Sequence, residues 1–219
     1  MKRLLLIGGT GLVGSLLRQR ALERADIDLT SLSRRAGEGA PLDFEAMLAD
    51  PEATVRSAAP EGADVAISCL GTTIRKAGCE AAMWRIDHDY VAAFAKGAHA
   101  AGARQFILMT SAGAGGRGFY LRMKGAVEEA VATSGFDRLD LIRPGLLLGD
   151  RAERRPAERL GQVIAPAFNL LLPGPLSRYQ ALPAETVAAA ILALAGATRA
   201  GRFVHENRDL RALARGGGS

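Results

Sequence analysis

The stretch LLLIGGTGLVG, residues 4–14, decides the fold of this chain. An aliphatic run, typical of a strand buried on both faces, leads into glycines at positions 8, 11 and 14 and then into a helical pattern. Gly8 permits a tight turn, Gly11 lets backbone amides approach a pyrophosphate, and Gly14 allows close helix–strand packing. We therefore predict a dinucleotide-binding loop rather than a plain βα turn. The predicted loop residues are Gly8, Thr10, Gly11, Leu12, Val13 and Gly14.

Short aliphatic runs alternate with helical patterns along the rest of the chain. We predict strands at 4–8, 27–33, 64–69, 105–111, 139–143 and 202–205, and helices at 12–24, 52–59, 81–101, 119–134 and 183–195. Strand and helix in alternation indicate parallel strands joined by crossover helices. The predicted fold is therefore α/β, a Rossmann doubly wound parallel sheet.

The domain organisation follows from where this alternation stops. We expect residues 1–145 to form the dinucleotide-binding Rossmann core. Residues 146–182 are Arg-rich, then apolar, then Pro-rich, and we expect them to form a small substrate cap over the carboxyl edge of the sheet. Residues 183–210 complete the same domain with a helix and a strand, and 215–219 are expected to be a flexible terminus.

Composition limits the class of protein. With 219 residues, 48% of them hydrophobic, the chain can bury a sizeable core and is not a disordered protein. No apolar stretch reaches 18 residues, so no membrane association is expected. Cys69 and Cys79 fit neither a disulfide framework nor a metal-ligand spacing, so we expect no metal and a reduced, cytoplasmic protein. Monomer and homodimer both stay open.

The chain carries a formal net charge of +5, which predicts anionic partners. Of its 28 cationic side chains, 24 are arginine. Few aromatic residues accompany them and no nucleic-acid-binding motif is present, so we expect a small phosphate-bearing ligand and no nucleic acid.

The end of the second strand bears on which dinucleotide binds. NAD sites usually carry Asp or Glu there, which accepts from the ribose 2′-hydroxyl. This strand ends in Ser33, Arg34 and Arg35, and a guanidinium pairs bidentately with phosphate oxygens. NADP(H) is therefore favoured over NAD(H), with Arg34 the first choice because it lies nearer the strand end and the other arginine open to a solvated role.

A second constellation follows the strand at 105–111. Ser111 ends that strand, a loop with four glycines comes next, and Tyr120 and Lys124 lie at i and i+4 on one helical face. An ammonium beside a phenol favours the phenolate, so the tyrosine can give or take a proton. We predict Ser111, Tyr120 and Lys124 as catalytic residues, with Lys124 also holding the nicotinamide ribose. The alternative is a surface tyrosine and a solvated lysine.

These motifs, in this order, resemble the short-chain dehydrogenases/reductases. The segments CLGTT (69–73), DHDYV (87–91) and RPGLLL (143–148) narrow the resemblance to the atypical branch that includes the metazoan Tat-interacting tumour-suppressor oxidoreductase and its bacterial relatives. The resemblance spans residue 3 to about 195 and implies a Rossmann fold that binds NADP(H). It also implies cofactor contacts from Asp43, Phe44, Cys69, Leu70, Gly71, Thr72, Thr73, Thr110, Pro144, Gly145, Leu146 and Leu147.

Two positions depart from the family pattern. Tyr120 follows Ser111 by only nine residues, a shorter spacing than usual, so Thr110 competes for the role of Ser111. Asp87 stands where many extended members carry an Asn that relays protons through water.

The sequence thus supports an NADP(H)-dependent oxidoreductase that transfers hydride between nicotinamide and a small carbonyl or alcohol substrate. A non-enzymatic NADP(H)-sensing regulator that binds a protein partner is the first alternative. A nucleotide-sugar epimerase or dehydratase is the second, although only about 40 residues, 146–182, are free for a substrate domain.

Overall fold

The computed structural model describes residues 1–35, 37–149 and 174–216. Its centre is a seven-stranded, all-parallel sheet with the strand order β3-β2-β1-β4-β5-β6-β9. The strands are β1 (Lys2–Ile7), β2 (Ile27–Ser33), β3 (Ala40–Pro41), β4 (Val65–Ser68), β5 (Gln105–Met109), β6 (Arg138–Ile142) and β9 (Gly201–His205). A separate two-stranded parallel sheet pairs β7 (Leu147–Leu148) with β8 (Leu182–Pro183).

Helices cover both faces of the large sheet. They are α1 (Leu12–Leu22), α2 (Phe44–Ala49), α3 (Pro51–Ala58), α4 (Ile74–Ala77), α5 (Glu80–Trp84), α6 (Tyr90–Ala100), α7 (Phe119–Ala132), α8 (Ala184–Leu194) and α9 (Asn207–Gly216). One apolar cluster lies under α2, α3, α6 and α7, and the other under α1, α8 and α9. This doubly wound α/β architecture confirms the predicted fold class.

Strand β1 shows why the sheet needs two helical layers. Its last four residues are all buried: Leu5 and Ile7 point into one apolar cluster, and Leu4 and Leu6 into the other. Because successive side chains of a strand point to opposite faces, a strand without polar alternation must be covered on both. The aliphatic run that opens the sequence therefore specifies a central strand.

The strand order places a crevice at the carboxyl end of β1. From β1 the chain moves to β2 and β3 on one side of the sheet, and then to β4, β5, β6 and β9 on the other. Ligands of open α/β sheets bind at such a switch point. The loops after β1, β4, β5 and β6 all open at this edge and contain part of the predicted site; its other residues follow β2 and β3 or lie on α1 and α7.

The structure corrects two predictions of local structure. The helix predicted at 81–101 is not uniform, because a π-helical segment, Arg85–Asp89, separates α5 from α6. Its extra residue per turn is a local feature that apolar periodicity does not report. The chain also stays ordered after β9: α9 runs from Asn207 to Gly216, so Arg215 and Gly216 belong to a helix rather than to a flexible terminus.

Several short elements were not predicted. Strand β3 has two residues, α2 has six and α4 has four, which is too short for a periodic pattern. Strands β7 and β8 join the two ends of the predicted cap segment. Most of the predicted cap, residues 150–173, lies outside the described residues. Within the described ranges, no helix is both long and apolar enough to span a bilayer.

A buried polar network centres on Asp140, which is fully buried in β6. Arg138 donates to both carboxylate oxygens, from Nε at 2.7 Å and Nη2 at 2.8 Å, and Gln105 donates from Nε2 at 2.7 Å. The His205 Nε2 lies 2.8 Å from Asp140 Oδ1. Burial alone would raise the pKa of Asp140, but hydrogen bonds from His205, Arg138 and Gln105 outweigh it and hold that pKa below its usual range.

We predict that this network makes folding stability sensitive to acid. Because the pKa of Asp140 is lowered on folding, its contribution is complete above the unfolded value of about 4 and is lost as the pH falls through the folded value. Asp140→Asn should cost about 3–5 kcal/mol at pH 7, since it leaves the Arg138 guanidinium buried without its carboxylate. Urea unfolding between pH 7 and pH 3 measures both effects.

The matched control is Asp137→Asn, because this carboxylate is 60% exposed and lies 3.8 Å from Arg104. The control should unfold as the wild type does at every pH. Equal stability of Asp140→Asn and the wild type at pH 7 would contradict the prediction.

Candidate active site

The glycine loop after β1 is packed too closely for side chains at two positions. Gly8 has a φ of +80°, and a Cβ there would lie 2.4 Å from the Cys69 carbonyl carbon at the end of β4. A Cβ on Gly14 would lie 2.2 Å from the Gly8 carbonyl oxygen. Gly8 therefore seats the turn on β4, and Gly14 lets α1 dock on that turn, as the sequence predicts.

The first turn of α1 presents backbone amides at the sheet edge. Gly11 caps the helix without a side-chain hydrogen bond, and the first turn contains no acidic residue. The Ser15 amide is bonded to the Gly11 carbonyl at 2.9 Å, so the amides of Leu12, Val13 and Gly14 precede the first intrahelical bond. Together with the helix dipole, they form a site suited to a phosphate group.

Gly9 is a loop residue that the sequence reasoning did not single out. A Cβ at this position would lie 2.3 Å from Ser31 Oγ and 2.8 Å from Arg18 Cδ. Gly9 therefore brings the loop against both β2 and α1. The double glycine at positions 8 and 9 is the signal that could have found it.

The two arginines after β2 have different surroundings. Arg35 Nη1 lies 3.4 Å from the carboxylate of Glu38, and the Arg35 amide donates to Ser33 Oγ at 3.2 Å. Arg34 has no acidic partner among the described residues, and its Cζ lies 6.0 Å from the centre of the Phe44 ring. Of the pair, Arg34 is the free cation at the strand end.

Asp43 and Phe44 lie at the start of α2, on the side of the crevice next to Arg34. The Asp43 carboxylate caps the helix by accepting from the Glu45 and Ala46 amides at 2.9 and 3.1 Å. The buried Phe44 ring packs 5.0 Å from the Tyr90 ring. The structure thus gives both residues a local structural role at the position predicted for adenine.

Glu45 connects this region to the π-helical segment. It accepts hydrogen bonds from the Tyr90 hydroxyl and from the Arg85 guanidinium. These bonds, first that from Arg85, lower the pKa of Glu45, whereas burial and the bond to Glu45 raise the pKa of Tyr90.

Lys124 is buried and forms an ion pair with Asp87. Its Nζ lies 2.8 Å from Asp87 Oδ2, and only 6% of the lysine side chain and 1% of the aspartate are exposed. The other carboxylate oxygen accepts from the Thr72 amide at 2.7 Å. A Cβ on Gly71 would lie 3.5 Å from the carboxylate and 4.0 Å from the ammonium. Asp87, set by the π-helical segment, therefore joins Lys124 to the loop after β4.

The rest of that loop has mixed roles. The Cys69 side chain packs in the apolar core, where burial raises the pKa of its thiol to about 12, so only its backbone borders the glycine loop. Leu70 packs against the other core cluster. Thr73 caps α4 by accepting from the Lys76 amide at 3.3 Å. Gly71 is therefore the member of this segment shown next to the Lys124 ammonium, and Thr72 contacts its partner Asp87 through the backbone amide.

Tyr120 stands beside Lys124 on α7, as predicted. The Lys124 Nζ lies 5.7 Å from the centre of the Tyr120 ring, and Tyr120 is 40% exposed. The preceding loop is tight: Gly113, Gly115 and Gly118 all have positive φ, and the Gly115 amide donates to the Leu121 carbonyl at 2.8 Å. These glycines accommodate the short spacing between Ser111 and Tyr120.

Thr110 and Ser111 have different environments at the end of β5. Thr110 is buried and donates to Glu128 Oε1 at 2.7 Å. The Ser111 hydroxyl has only a long contact, 3.4 Å, to the neighbouring Ala112 carbonyl. Because Thr110 is engaged, Ser111 is the hydroxyl that stays available to a ligand.

Glu128 is a further residue that sequence reasoning missed. Its side chain on α7 is 1% exposed. It accepts a hydrogen bond from Thr110 and a second one from Arg143, at the end of β6, with 2.9 Å between Arg143 Nε and Glu128 Oε1. The hydrogen bond to Glu128 raises the pKa of Arg143. A glutamate four residues after Lys124 on the same helix was the available signal. It ties the ends of β5 and β6 to the helix that holds Tyr120.

The segment after β6 is fixed by contacts with distant parts of the chain. The Pro144 carbonyl accepts from the Ala112 amide at 2.9 Å, and the Gly145 amide donates to Asn207 Oδ1 at 3.0 Å. Leu146 is 58% exposed, and Leu147 pairs with Leu182. The buried Asn207, in the unpredicted α9, therefore fixes the loop that was expected near the nicotinamide.

Aromatic side chains border Tyr120. The Trp84 ring lies 4.7 Å from that of His88 and 6.2 Å from that of Phe119. All three are partly exposed, and they join the π-helical segment to the start of α7. Within the described residues, no group of three His, Cys, Asp or Glu side chains is arranged to hold a metal ion.

Taken together, one sheet edge holds a turn with unpaired helix amides, an arginine without an acidic partner among the described residues, and a serine, a tyrosine and a lysine. At positions 8, 9 and 14 a Cβ would clash with neighbouring atoms, so only glycine allows the turn to pack as it does. The turn therefore presents backbone alone to the crevice. Such a turn fits the pyrophosphate of a dinucleotide. The tyrosine and lysine fit proton transfer beside it.

Comparisons with known proteins agree with this geometry. A family model described as NAD(P)H-binding matches residues 8–196. "Protein fmp52, mitochondrial" of Emericella nidulans is 36% identical over 182 residues, which cover 77% of this chain and 76% of that protein. "Protein HTATIP2" of Rattus norvegicus is 43% identical over 134 residues; the match covers 60% of this chain and about half, 53%, of that protein.

Solved structures share the fold at lower identity. The human epimerase family protein SDR39U1 with NADPH has a TM-score of 0.63 and 20% identity, covering 93% of this chain and 74% of that one. The enzyme WbmG of Bordetella bronchiseptica with NAD has a TM-score of 0.64 and 14% identity, covering 100% and 79%. At these identities the likeness concerns the fold alone.

The ion pair between Asp87 and Lys124 yields a stability prediction. Asp87→Ala leaves a buried ammonium without a counter-charge and removes the acceptor of the Thr72 amide. We expect a loss of about 3–5 kcal/mol in the free energy of unfolding. The double variant Asp87→Ala/Lys124→Met should be destabilised less than the single one, because no charge stays buried.

Urea denaturation of both variants tests this prediction. Asp89→Ala is the control, since its carboxylate is 39% exposed and lies 2.9 Å from the His88 ring nitrogen, and it should change stability little. If Asp87→Ala and Asp89→Ala lost equal amounts, the buried ion pair would not have the assigned role.

Proposed function

The chain belongs to the NAD(P)H-binding family of atypical short-chain dehydrogenase/reductase proteins, and we propose that it is an NADP(H)-dependent oxidoreductase acting on a small carbonyl or alcohol. The observation that carries this proposal is the position of Tyr120 beside the Lys124 ammonium, which itself lies next to the loop after β4. This arrangement lies at the same sheet edge as the glycine loop.

The roles of the residues follow from their surroundings. A bound NADPH supplies the hydride. Lys124 places its ammonium 5.7 Å from the centre of the Tyr120 ring, so a cation stands next to the group that passes a proton to the substrate. Tyr120 is exposed enough to reach a substrate oxygen, and Ser111 can donate to that same oxygen. Asp87 fixes Lys124, and the amides of α1 hold the cofactor phosphates.

The preference for NADP(H) rests on residues of this chain. Solved neighbours include complexes with NADPH and with NAD, so they do not decide between the cofactors. No acidic residue ends β2; Arg34 stands there without an acidic partner among the described residues, while Glu38 neutralises Arg35. We therefore assign the contact to the 2′-phosphate to Arg34. We also propose a reducing, cytoplasmic location, since Cys69 and Cys79 are both free thiols.

We predict that Tyr120→Phe removes catalysis but not cofactor binding. Loss of a general acid should lower the rate of NADPH oxidation about 10²–10⁴-fold with any carbonyl that the wild type accepts. Absorbance at the reduced nicotinamide band, over a panel of aldehydes, ketones and quinones, gives the rates. The affinity for NADPH and the melting temperature should match the wild type, because the Tyr120 side chain is exposed.

Two outcomes would point away from this assignment. Unchanged turnover in Tyr120→Phe would show that another group transfers the proton. Tight binding of NADPH by the wild type, without turnover of any carbonyl in the panel, would favour the alternative of an NADP(H)-sensing regulator.

A separate prediction concerns the cofactor preference. Arg34→Ala should weaken NADPH binding about tenfold to a hundredfold, because a charge-assisted contact to the 2′-phosphate is lost. NADH binding should not change. Arg35→Ala is the matched control next to it and should have a smaller effect, since Glu38 already pairs with Arg35. Titration by nicotinamide fluorescence measures all four affinities; equal effects of both variants would refute the assignment.

A further inference from the structure

We propose that Arg18, on α1, is a second ligand of the 2′-phosphate and a determinant of NADP(H) specificity. This inference rests on the proposed function, since it assumes that the crevice binds a phosphorylated dinucleotide. It adds a residue of α1 to the argument for NADP(H), which so far rests on Arg34 after β2.

The first support is the position of Arg18. Its side chain crosses directly over the glycine loop, because Arg18 Cδ lies 2.8 Å from where a Cβ of Gly9 would be. A side chain at Gly9 would therefore displace it. The Arg18 stem is thus fixed against the turn that borders the predicted pyrophosphate and the end of β2.

The second support is the state of its charge. No described residue accepts a hydrogen bond from the Arg18 guanidinium or forms an ion pair with it, although the side chain is only partly exposed. Most arginines near the sheet edge differ: Arg35, Arg85 and Arg143 each pair with a carboxylate. Arg18 and Arg34 are two cations beside the end of β2 that hold no acid in the described structure.

The third support is Ser31, which lies next to Arg18 on β2. Ser31 is 8% exposed, and its Oγ has no hydrogen-bond partner within the described residues. A buried hydroxyl without a partner costs free energy. The Oγ lies 2.3 Å from the same Cβ position of Gly9 that Arg18 Cδ approaches, so the two side chains are immediate neighbours. A phosphate bound beside Arg18 would give this hydroxyl the acceptor that it lacks.

A cleft of about 330 Å³ opens at these residues. It lies between α1, β2 and the start of β3, and Arg18, Thr30, Ser31 and Gly39 contribute to its lining. Because side chains two apart on a strand share a face, Ser31 and Ser33 both point toward α1. A phosphate held at the end of β2 by Arg34 can therefore be reached by Arg18 from the helix side.

The nearest carboxylate does not oppose this role. Glu38 lies 3.4 Å from both the Arg35 guanidinium and Ser33 Oγ, so its charge is already paired. A guanidinium offers two parallel N–H donors to phosphate oxygens, a geometry that a ribose 2′-hydroxyl does not match. Arg18 should therefore add to the affinity for NADPH and contribute nothing to that for NADH.

The experiment compares cofactor affinities of the full chain and three variants. Arg18→Ala removes the guanidinium, Arg18→Lys keeps the charge without the fork, and Arg20→Ala is the control, an exposed arginine on the same helix. Fluorescence titrations with NADPH and NADH are joined by calorimetry with 2′,5′-ADP and 5′-AMP, which differ only in the 2′-phosphate and lack the nicotinamide. Circular dichroism and the melting temperature establish that each variant is folded.

We expect Arg18→Ala to weaken binding of NADPH and 2′,5′-ADP about tenfold to a hundredfold, with NADH and 5′-AMP unchanged. Arg18→Lys should lie between Arg18→Ala and the wild type, and Arg20→Ala should match the wild type. A wild type that prefers NADPH, together with an Arg18→Ala variant in which the ratio of the NADPH and NADH affinities is unchanged, overturns the inference alone. A wild type that binds NADPH and NADH equally overturns the proposed cofactor preference as well. Equal losses for NADPH and NADH in Arg18→Ala also overturn the inference, since they indicate a general disturbance of the loop.

Discussion

The docking of α1 on the turn after β1 is the constraint on which the rest of the site depends. The helix begins directly above the Gly8 carbonyl, and the turn itself rests on the backbone of Cys69 and Leu70. Both contacts are closer than any side chain allows, so the positions must be glycine. Because this packing sets the distance between α1, β1 and β4, it also decides where the helix amides, the loop after β4 and the end of β2 meet. A crevice for a dinucleotide results from the same contacts that close the fold.

Buried ion pairs hold α7, which carries Tyr120 and Lys124, in place beside the glycine loop and β4. Asp87 joins the loop after β4 to Lys124 of α7, and Glu128 joins the same helix to the ends of β5 and β6. Each carboxylate binds groups from more than one element, so each fixes relative positions rather than one side chain. Ion pairs of this kind contribute little net stability compared with apolar packing, but they require one arrangement of their partners. We attribute the fixed position of the Tyr120 helix to them.

The sequence predicted those features of the structure that depend on residues close together in the chain. The aliphatic run 4–7, the glycines at 8, 11 and 14 and the spacing of Tyr120 and Lys124 each concern one turn or one strand, and the structure agrees with them. What could not be predicted depends on contacts between distant segments. Asp87 was visible only through the resemblance to a family, as part of the segment 87–91 and as a departure from the usual Asn, and its bond to Thr72 depends on the π-helical segment. Asn207 lies 62 residues after Gly145, the amide of which it binds, and nothing in the local pattern announces that contact.

The distribution of charge gives the net charge of +5 a local meaning. Buried carboxylates each hold an arginine or lysine: Asp87 holds Lys124, Glu128 holds Arg143, and Asp140 holds Arg138. Such pairs add nothing to the field outside the protein. Arg18 beside the glycine loop and Arg34 after β2 differ because no described acid neutralises them, and the N-terminus of α1 has the same sign. Positive potential is therefore concentrated at the end of β2 and the start of α1. The proposed preference for NADP(H) depends on this distribution, since the 2′-phosphate is the charge that NAD(H) lacks.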